Sequence, residues 1–176
     1  MPTTPFNNEA EFEDALIRVL NTKGWEPELL RYPTEKDLLE NWANILYEMN
    51  NTIDRLNSAR LTQGEMQQLL DQISTLRTPQ QLNGFINGKT VSVRRDNQAD
   101  DLHYGKEVTL KIFDPREIAA GQTRYQIAKQ PKFASRSPIL NTRRGDLTLL
   151  INGMPMIHIE LKKSGIPLSQ AYNQIM

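Results

Sequence analysis

The stretch DLTLLINGMPMIHIELKK, residues 146–163, contains two apolar runs with an Asn-Gly pair between them. Asn-Gly between two such runs is a strong short-range signal for a β-hairpin. An Asp precedes the first run, and Glu160, Leu161 and Lys162 end the second. The stretch therefore predicts two antiparallel strands whose outer ends carry two carboxylates and an ammonium group.

The pairing of this hairpin decides whether the charged groups meet, because alternate residues of a strand share a face. A two-residue Asn-Gly loop would pair Ile151 with Met154 and would place Asp146 and Glu160 on opposite faces. A three-residue loop would instead pair Leu150 with Met154 and would bring both acids and the lysine to one face. We predict the three-residue loop, or a compensating bulge elsewhere in the hairpin.

The charged groups point to metal-assisted phosphodiester chemistry if they share a face. Carboxylates of Asp146 and Glu160 are the ligands that Mg²⁺ prefers, with Mn²⁺ as a substitute, and the backbone carbonyl of Leu161 could add a third ligand. Lys162 can orient an attacking water and favour its deprotonated form. The alternative is an exposed pair of strands in which Lys162 forms an ion pair with either acid.

The N-terminal half predicts helices. Asn8 and Glu11 form a capping-box pattern before a helix that ends at Gly24, and the prolines of residues 24–34 predict a break. Residues 35–78 predict a helical hairpin, with a second capping-box pattern at Thr62 and Glu65. Its predicted inward residues are Leu38, Trp42, Ile45, Leu46, Met49 and Ile53 on the first helix, and Met66, Leu69, Leu70 and Ile73 on the second.

The C-terminal half predicts strands. KTVSVRR, EVTLKIFD and RYQIAKQPKF are short, rich in β-branched or aromatic residues and bounded by turn residues. ASRSPILNTRRG predicts a loop before the hairpin, and SGIPLSQAYNQIM predicts a final helix with Pro167 in its first turn. The chain stops inside that helix, so we expect a fragment of a longer protein. These elements predict an α/β fold of α+β character, with a mixed central sheet flanked by helices.

Composition excludes some classes and indicates a partner. The 176 residues contain no cysteine, no apolar run of membrane-spanning length and no secretory signal, so we expect a soluble, cytoplasmic protein. Residues 1–86 hold 7 Lys and Arg against 13 Asp and Glu, whereas residues 87–176 hold 14 against 8. Such asymmetry indicates either an anionic partner at the C-terminal half or attraction between the two halves.

Several motifs resemble one nuclease family. Asp146…Glu160-Leu161-Lys162 resembles the motif of PD-(D/E)xK nucleases. LLINGMPMIHIELKKSGIPLSQAYNQI, with FEDALIRVLNTKGW near the N-terminus, resembles the nuclease segment of the restriction (R, or HsdR) subunit of type I restriction–modification enzymes. The resemblance implies a restriction-endonuclease-like core and a single nuclease domain over residues 1–176, truncated at its C-terminus. Residues 35–78 would be an inserted helical hairpin, and residues 79–176 would hold the main sheet and the catalytic hairpin.

The resemblance also implies roles for residues. Asp146 and Glu160 would bind the metal ion, and Lys162 would be the catalytic lysine. Glu13 matches an acidic position of the first helix that helps the metal site, although a solvated Glu13 is an equal alternative. Gln174 matches the Gln of a Q-x-x-x-Y motif that contacts DNA, whose tyrosine would fall at position 178, beyond this chain.

Basic side chains and histidines near the predicted site allow two interpretations each. The candidate DNA contacts are Arg143, Arg144 and Lys163, which either bind phosphates or serve only to keep the protein soluble. Weaker candidates for the same surface are Lys129, Lys132 and Arg136. His158 shares the face of Glu160, so it either approaches a phosphate or packs as an ordinary strand histidine. His103 lies in a turn-like stretch, where a metal role is the less favoured interpretation.

The predicted function is that of a metal-dependent DNA endonuclease domain of a type I R subunit. The resemblance implies cleavage after ATP-driven translocation by a motor region, and this chain lacks the phosphate-loop motif of such a motor. The implied partners are double-stranded DNA and the modification (M) and specificity (S) subunits. The alternatives are a stand-alone PD-(D/E)xK repair or junction nuclease, and a non-catalytic module that holds DNA and docks subunits.

Overall fold

The computed structural model describes residues 9–87, 90–114, 116, 121–132 and 147–161, in which the helices lie in the N-terminal half and all but one of the strands follow them. The helices are α1 (Glu9–Thr22), α2 (Glu35–Asn50), α3 (Gln63–Ser74) and α4 (Pro79–Ile86). The strands are β1 (Leu29–Arg31), β2 (Thr90–Arg94), β3 (Glu107–Lys111), β4 (Tyr125–Lys129), β5 (Leu147–Ile151) and β6 (Met154–Ile159). The predicted mixed α/β class is confirmed. Over the described ranges, no helix has both the length and the apolarity needed to cross a lipid bilayer.

Two short elements were not predicted: strand β1 lies in the break between α1 and α2, and α4 begins at Pro79, ahead of the first predicted strand. The predicted inward position of Ile53 was wrong, because α2 ends at Asn50 and Ile53 is 71% exposed. The Asn50 side chain bonds the backbone of Leu46 and of Lys111 in β3. These bonds tie the end of α2 to a strand, and the chain turns away before Ile53.

The main sheet has the mixed topology that the sequence predicts. Its strand order is β1-β4-β5-β6, with β1 parallel to β4 and the other neighbours antiparallel. Alternation of side chains then divides the sheet into two faces. On the α1 face, Ile17 packs with Ile127, Leu147 and Leu149. On the α2 face, Leu38 packs with Ala128 and Leu150. Helices therefore cover both faces of this sheet.

A second core lies between the helices and the two-stranded sheet β2-β3. Apolar residues of α2, α3, β2 and β3 form one buried cluster, which includes Trp42, Leu69, Val93 and Leu110. Beside it, the fully buried Arg95 donates hydrogen bonds to Glu65 and Asp100 at 2.6 and 3.0 Å. Since a buried charge is costly unless it is paired, these contacts fix how α3 sits on β2. The predicted capping box of Thr62 and Glu65 is also present at the start of α3.

The hairpin β5-β6 has a two-residue loop and a bulge. Asn152 and Gly153 have φ values of 49° and 83°, and Ile151 pairs with Met154. The predicted three-residue loop is therefore wrong. The register shifts after Leu149, however, so the predicted compensating bulge is present.

The bulge lies beside a proline. Leu150 pairs with Pro155, and the shift lies between Leu149 and Leu150. Proline has no backbone N–H to give to a strand ladder, so within sheets it is confined largely to edge strands and bulges. Beyond the bulge, Thr148 pairs with His158 and Leu147 with Ile159. The pairing near the outer ends of the strands is thus the one that places side chains at positions 148 and 158 on a common face.

Ion pairs join the acidic and basic halves of the chain. Arg124 donates two hydrogen bonds to Glu26, and Arg95 bonds Glu65. Lys129 contacts Glu13 at 2.8 Å. Attraction between the halves therefore accounts for part of the charge asymmetry in the sequence.

Candidate functional site

Three strand ends meet at one end of the main sheet. Lys129, at the end of β4, pairs with Leu147, at the start of β5. Leu147 in turn pairs with Ile159, at the end of β6. Glu160 and Leu161 follow directly, so this end of the sheet, which we call the site end, carries the second half of the predicted motif.

Several predicted site residues lie outside the described residues. These are Asp146, Lys162, Arg143, Arg144, Lys163, Gln174 and the weaker candidate Arg136. Of the predicted metal ligands, the structure describes Glu160, Leu161 and Glu13. Among the residues that it describes, no three His, Asp or Glu side chains gather in a cluster that could hold a metal ion.

Glu160 and Leu161 differ in burial. Glu160 is exposed, whereas Leu161 is 6% exposed and lies in the core. An apolar anchor directly after the carboxylate fixes the strand end and leaves the acid accessible from solvent. Carboxylate and backbone carbonyl oxygens are hard donors, so the chemistry of both groups suits Mg²⁺.

His158 lies on the α2 face of the sheet beside Thr148. The Nδ1 atom of His158 is 3.1 Å from the Oγ1 atom of Thr148. Thr148 is fully buried, whereas His158 is exposed. Partial desolvation of the ring lowers the pKa of His158. Glu160 is two residues further on, and continued alternation past Ile159 assigns it to the same face. His158 is thus an exposed strand histidine whose ring contacts one buried hydroxyl.

Glu13 is buried and paired with a lysine. It is 3% exposed, so a solvated Glu13 is excluded. Its Oε1 lies 2.8 Å from Lys129 Nζ, and Gln130 donates to its Oε2 at 3.4 Å. The hydrogen bond to Glu13 raises the pKa of Lys129 despite burial, and Asp14 contributes a second one at 3.1 Å. Lys129 therefore forms ion pairs with two acids, and its ammonium group is not available to a phosphate.

The Glu13 pair lies on the opposite face from His158. Lys129 is in line with Leu147 and Ile159, which pack on the α1 face. The structure thus brings Glu13 and the backbone of Glu160 to the same end of the sheet, with Glu13 on the α1 face. Sequence reasoning missed Thr148 and the partnership of Glu13 with Lys129. The signal for Thr148 was present, since it is the polar residue that faces His158 in the bulged register.

Two other candidates have structural environments. His103 Nδ1 lies 3.1 Å from both oxygens of Asp100, in the buried network of Arg95 and away from the main sheet. Lys132 is exposed, and its Nζ lies 5.9 Å from the centre of the Tyr32 ring near the site end. Only Lys132 of these two is placed to meet an anion at that end.

The chain is similar to known restriction-enzyme subunits. A family model described as "Type I restriction enzyme R protein N terminus" matches residues 6–176. A Staphylococcus saprophyticus protein, type I restriction enzyme SsaAORF53P endonuclease subunit, is 32% identical over 97% of this chain and 16% of its own length. The Staphylococcus aureus type I restriction enzyme SauMSSORF170P endonuclease subunit is 28% identical over 97% of this chain and 16% of its own length. The Escherichia coli EcoprrI endonuclease subunit is 25% identical over 98% of this chain and 50% of its own length.

Proposed function

Because the chain belongs to the family of type I restriction enzyme R protein N termini, we propose that it is the metal-dependent DNA endonuclease domain of such a subunit. The curated relatives are named endonuclease subunits, and the chain spans 16% to 50% of their lengths. The proposal assigns to it a restriction-endonuclease-like core of the PD-(D/E)xK type. ATP-driven translocation, and assembly with M and S subunits, would then belong to the whole protein.

The bulge in β5-β6 is the observation that supports this proposal most. It changes the pairing so that Thr148 faces His158 and Leu147 faces Ile159. The same register, continued by one position, would set Asp146 opposite Glu160. Without the bulge, a two-residue loop would put these two acids on opposite faces.

The proposed chemistry is in-line hydrolysis of a phosphodiester. Asp146, Glu160 and the carbonyl of Leu161 would hold Mg²⁺ or Mn²⁺, which when bound polarises the scissile phosphate. Lys162 would orient the attacking water and favour its deprotonated form. The water oxygen bonds to phosphorus while the bond to the leaving sugar oxygen breaks. Arg143, Arg144, Lys163 and Gln174 would contact the DNA around the site, largely through phosphates.

The position of Glu13 restricts its role in this proposal. With its carboxylate on the α1 face and paired with Lys129, Glu13 would not reach the ion that Asp146 and Glu160 hold in the bulged register. We therefore propose that the metal ligands of the site are the two hairpin acids and the Leu161 carbonyl, with Glu13 outside them.

Cleavage by the assembled restriction enzyme tests the proposal. Lys162→Ala in the full-length subunit is expected to abolish double-strand cleavage while ATP hydrolysis and subunit assembly persist. Glu40→Gln, an exposed change on α2, serves as the control and is expected to cleave normally. Cleavage by the Lys162→Ala enzyme at the normal rate would instead favour the docking-module alternative.

A further inference from the structure

The pair formed by Thr148 and His158 has a feature that the proposed metal chemistry does not use. Thr148 is 0% exposed, and within the described residues its hydroxyl has one side-chain partner, the Nδ1 atom of His158. His158 itself is exposed, and no other described hydrogen bond reaches its ring. Nδ1 is therefore paired with the buried hydroxyl, and Nε2 has no partner among the described residues.

The buried hydroxyl selects the tautomer of the ring. If Nδ1 carried the proton, it would donate to Thr148 Oγ1, and the buried hydroxyl proton would have no described acceptor. An unsatisfied buried donor costs about 1–3 kcal/mol. If Thr148 donates to an unprotonated Nδ1 instead, the hydroxyl is satisfied and the ring proton resides on Nε2. The outward edge of His158 is then a hydrogen-bond donor.

The position of this donor matches the proposed site. His158 and Glu160 are two residues apart on one strand, about 7 Å between Cα atoms, and alternation puts them on the same face. A neutral N–H donor at that distance from a metal-binding carboxylate suits an anionic oxygen and does not repel a bound cation. Half or more of protein–DNA hydrogen bonds go to phosphate and sugar oxygens.

We propose that His158, oriented by Thr148, is a DNA-positioning residue that donates a hydrogen bond from Nε2 to a backbone phosphate beside the cleaved one. The inference rests on the proposed nuclease function, because it places the scissile phosphate at Glu160. It assigns His158 to substrate placement and gives Thr148 an indirect role through the ring. It adds a contact that carries no base specificity.

Nitrogen NMR of the imidazole rings tests this assignment directly. The chain has two histidines, so His103 is an internal control and a His103→Gln variant assigns the signals. Free His158 is expected to show the Nε2-protonated tautomer. A duplex oligonucleotide, added with Ca²⁺ in place of Mg²⁺, is expected to shift the His158 ring signals and to leave those of His103 unchanged. An Nδ1-protonated ring, or His158 signals that do not respond to bound duplex, would overturn the inference.

Binding measurements with paired variants provide the second test. His158→Ala is expected to weaken duplex binding about tenfold, as loss of a hydrogen bond to a charged group does. Thr148→Val alone should also weaken duplex binding, but adding it to His158→Ala should weaken binding no further. Thr148→Ser, which keeps the hydroxyl, should bind duplex like wild type. His103→Gln is the matched control. Equal effects of Thr148→Val in both backgrounds would contradict the indirect role of Thr148.

Failure of this inference is distinguishable from failure of the proposed function. If Lys162→Ala abolishes cleavage but His158→Ala binds and cleaves DNA like wild type, only the role of His158 is wrong. If Lys162→Ala cleaves normally, the nuclease assignment itself is wrong, and a DNA effect at His158 would no longer report on a catalytic site.

Discussion

Lys129 and Glu13 form a buried ion pair across 116 residues of sequence, with 2.8 Å between Nζ and Oε1. The Lys129 side chain is 13% exposed and that of Glu13 is 4% exposed. Through this pair, α1 is fixed over the site end of the main sheet. Asp14, which is more exposed, provides a second partner for the same ammonium.

Lys129→Met is expected to destabilise the chain by about 3–5 kcal/mol, because it leaves the Glu13 carboxylate buried without a counter-charge. The double variant Glu13→Gln with Lys129→Met should recover much of this loss, since neither charge then remains. Urea unfolding of the two variants and wild type measures the difference. If Lys129→Met alone were as stable as wild type, the pair would not be the buried contact described here.

Gly153→Ala is expected to destabilise the hairpin by more than its backbone conformation alone requires. A Cβ at this position would lie 2.9 Å from Trp42 Cα, and φ is already +83°. Overpacking of this kind costs about 1–3 kcal/mol in addition to the strain of a left-handed residue. Gly105→Ala is the matched control, with φ of +74° and open space around it. Equal losses in the two variants, by thermal unfolding, would rule out close packing of the loop on α2.

Acid should weaken the second core through Asp100. Burial raises the pKa of Asp100, but hydrogen bonds from Arg95, Asn57 and His103 outweigh it, and the net pKa lies below the usual value of 3.8. Because the folded pKa is lowered, this group contributes stability at pH above 3.8, and the contribution disappears as pH falls through the folded value. In Asp100→Asn, the free energy of unfolding should be lower at pH 7 and should fall less between pH 5 and 2 than in wild type. Parallel pH profiles for the two proteins would exclude Asp100 as a source of the acid sensitivity.

The elements set by local chemistry could be predicted from the sequence, and the long-range partnerships could not. Thr62 and Glu65 form their capping box from residues three apart, and the hairpin follows from Asn-Gly. Strand β1 has three residues, too few to show a period, and exists because β4 supplies a parallel partner.

In the candidate site, too, local features could be predicted from the sequence and long-range contacts could not. The bulge that sets the register lies beside Pro155, a residue that sheets confine largely to edge strands and bulges. The sequence interpretation allowed for such a bulge without placing it. The pairing of Glu13 with Lys129 had no local signal, because its two residues meet only after α1 packs on the sheet. The sequence therefore left Glu13 between a metal role and a solvated position, and could not show that its side chain pairs with Lys129 on the α1 face.

Calorimetric titration of Mn²⁺ into the 176-residue chain tests the central claim most directly. Wild type is expected to bind the ion, Asp146→Ala and Glu160→Gln are each expected to lose that binding, and Glu40→Gln on α2 is expected to retain it. A chain that binds no ion, or one whose binding is the same in all four proteins, would contradict a metal site built from the two acids of the hairpin.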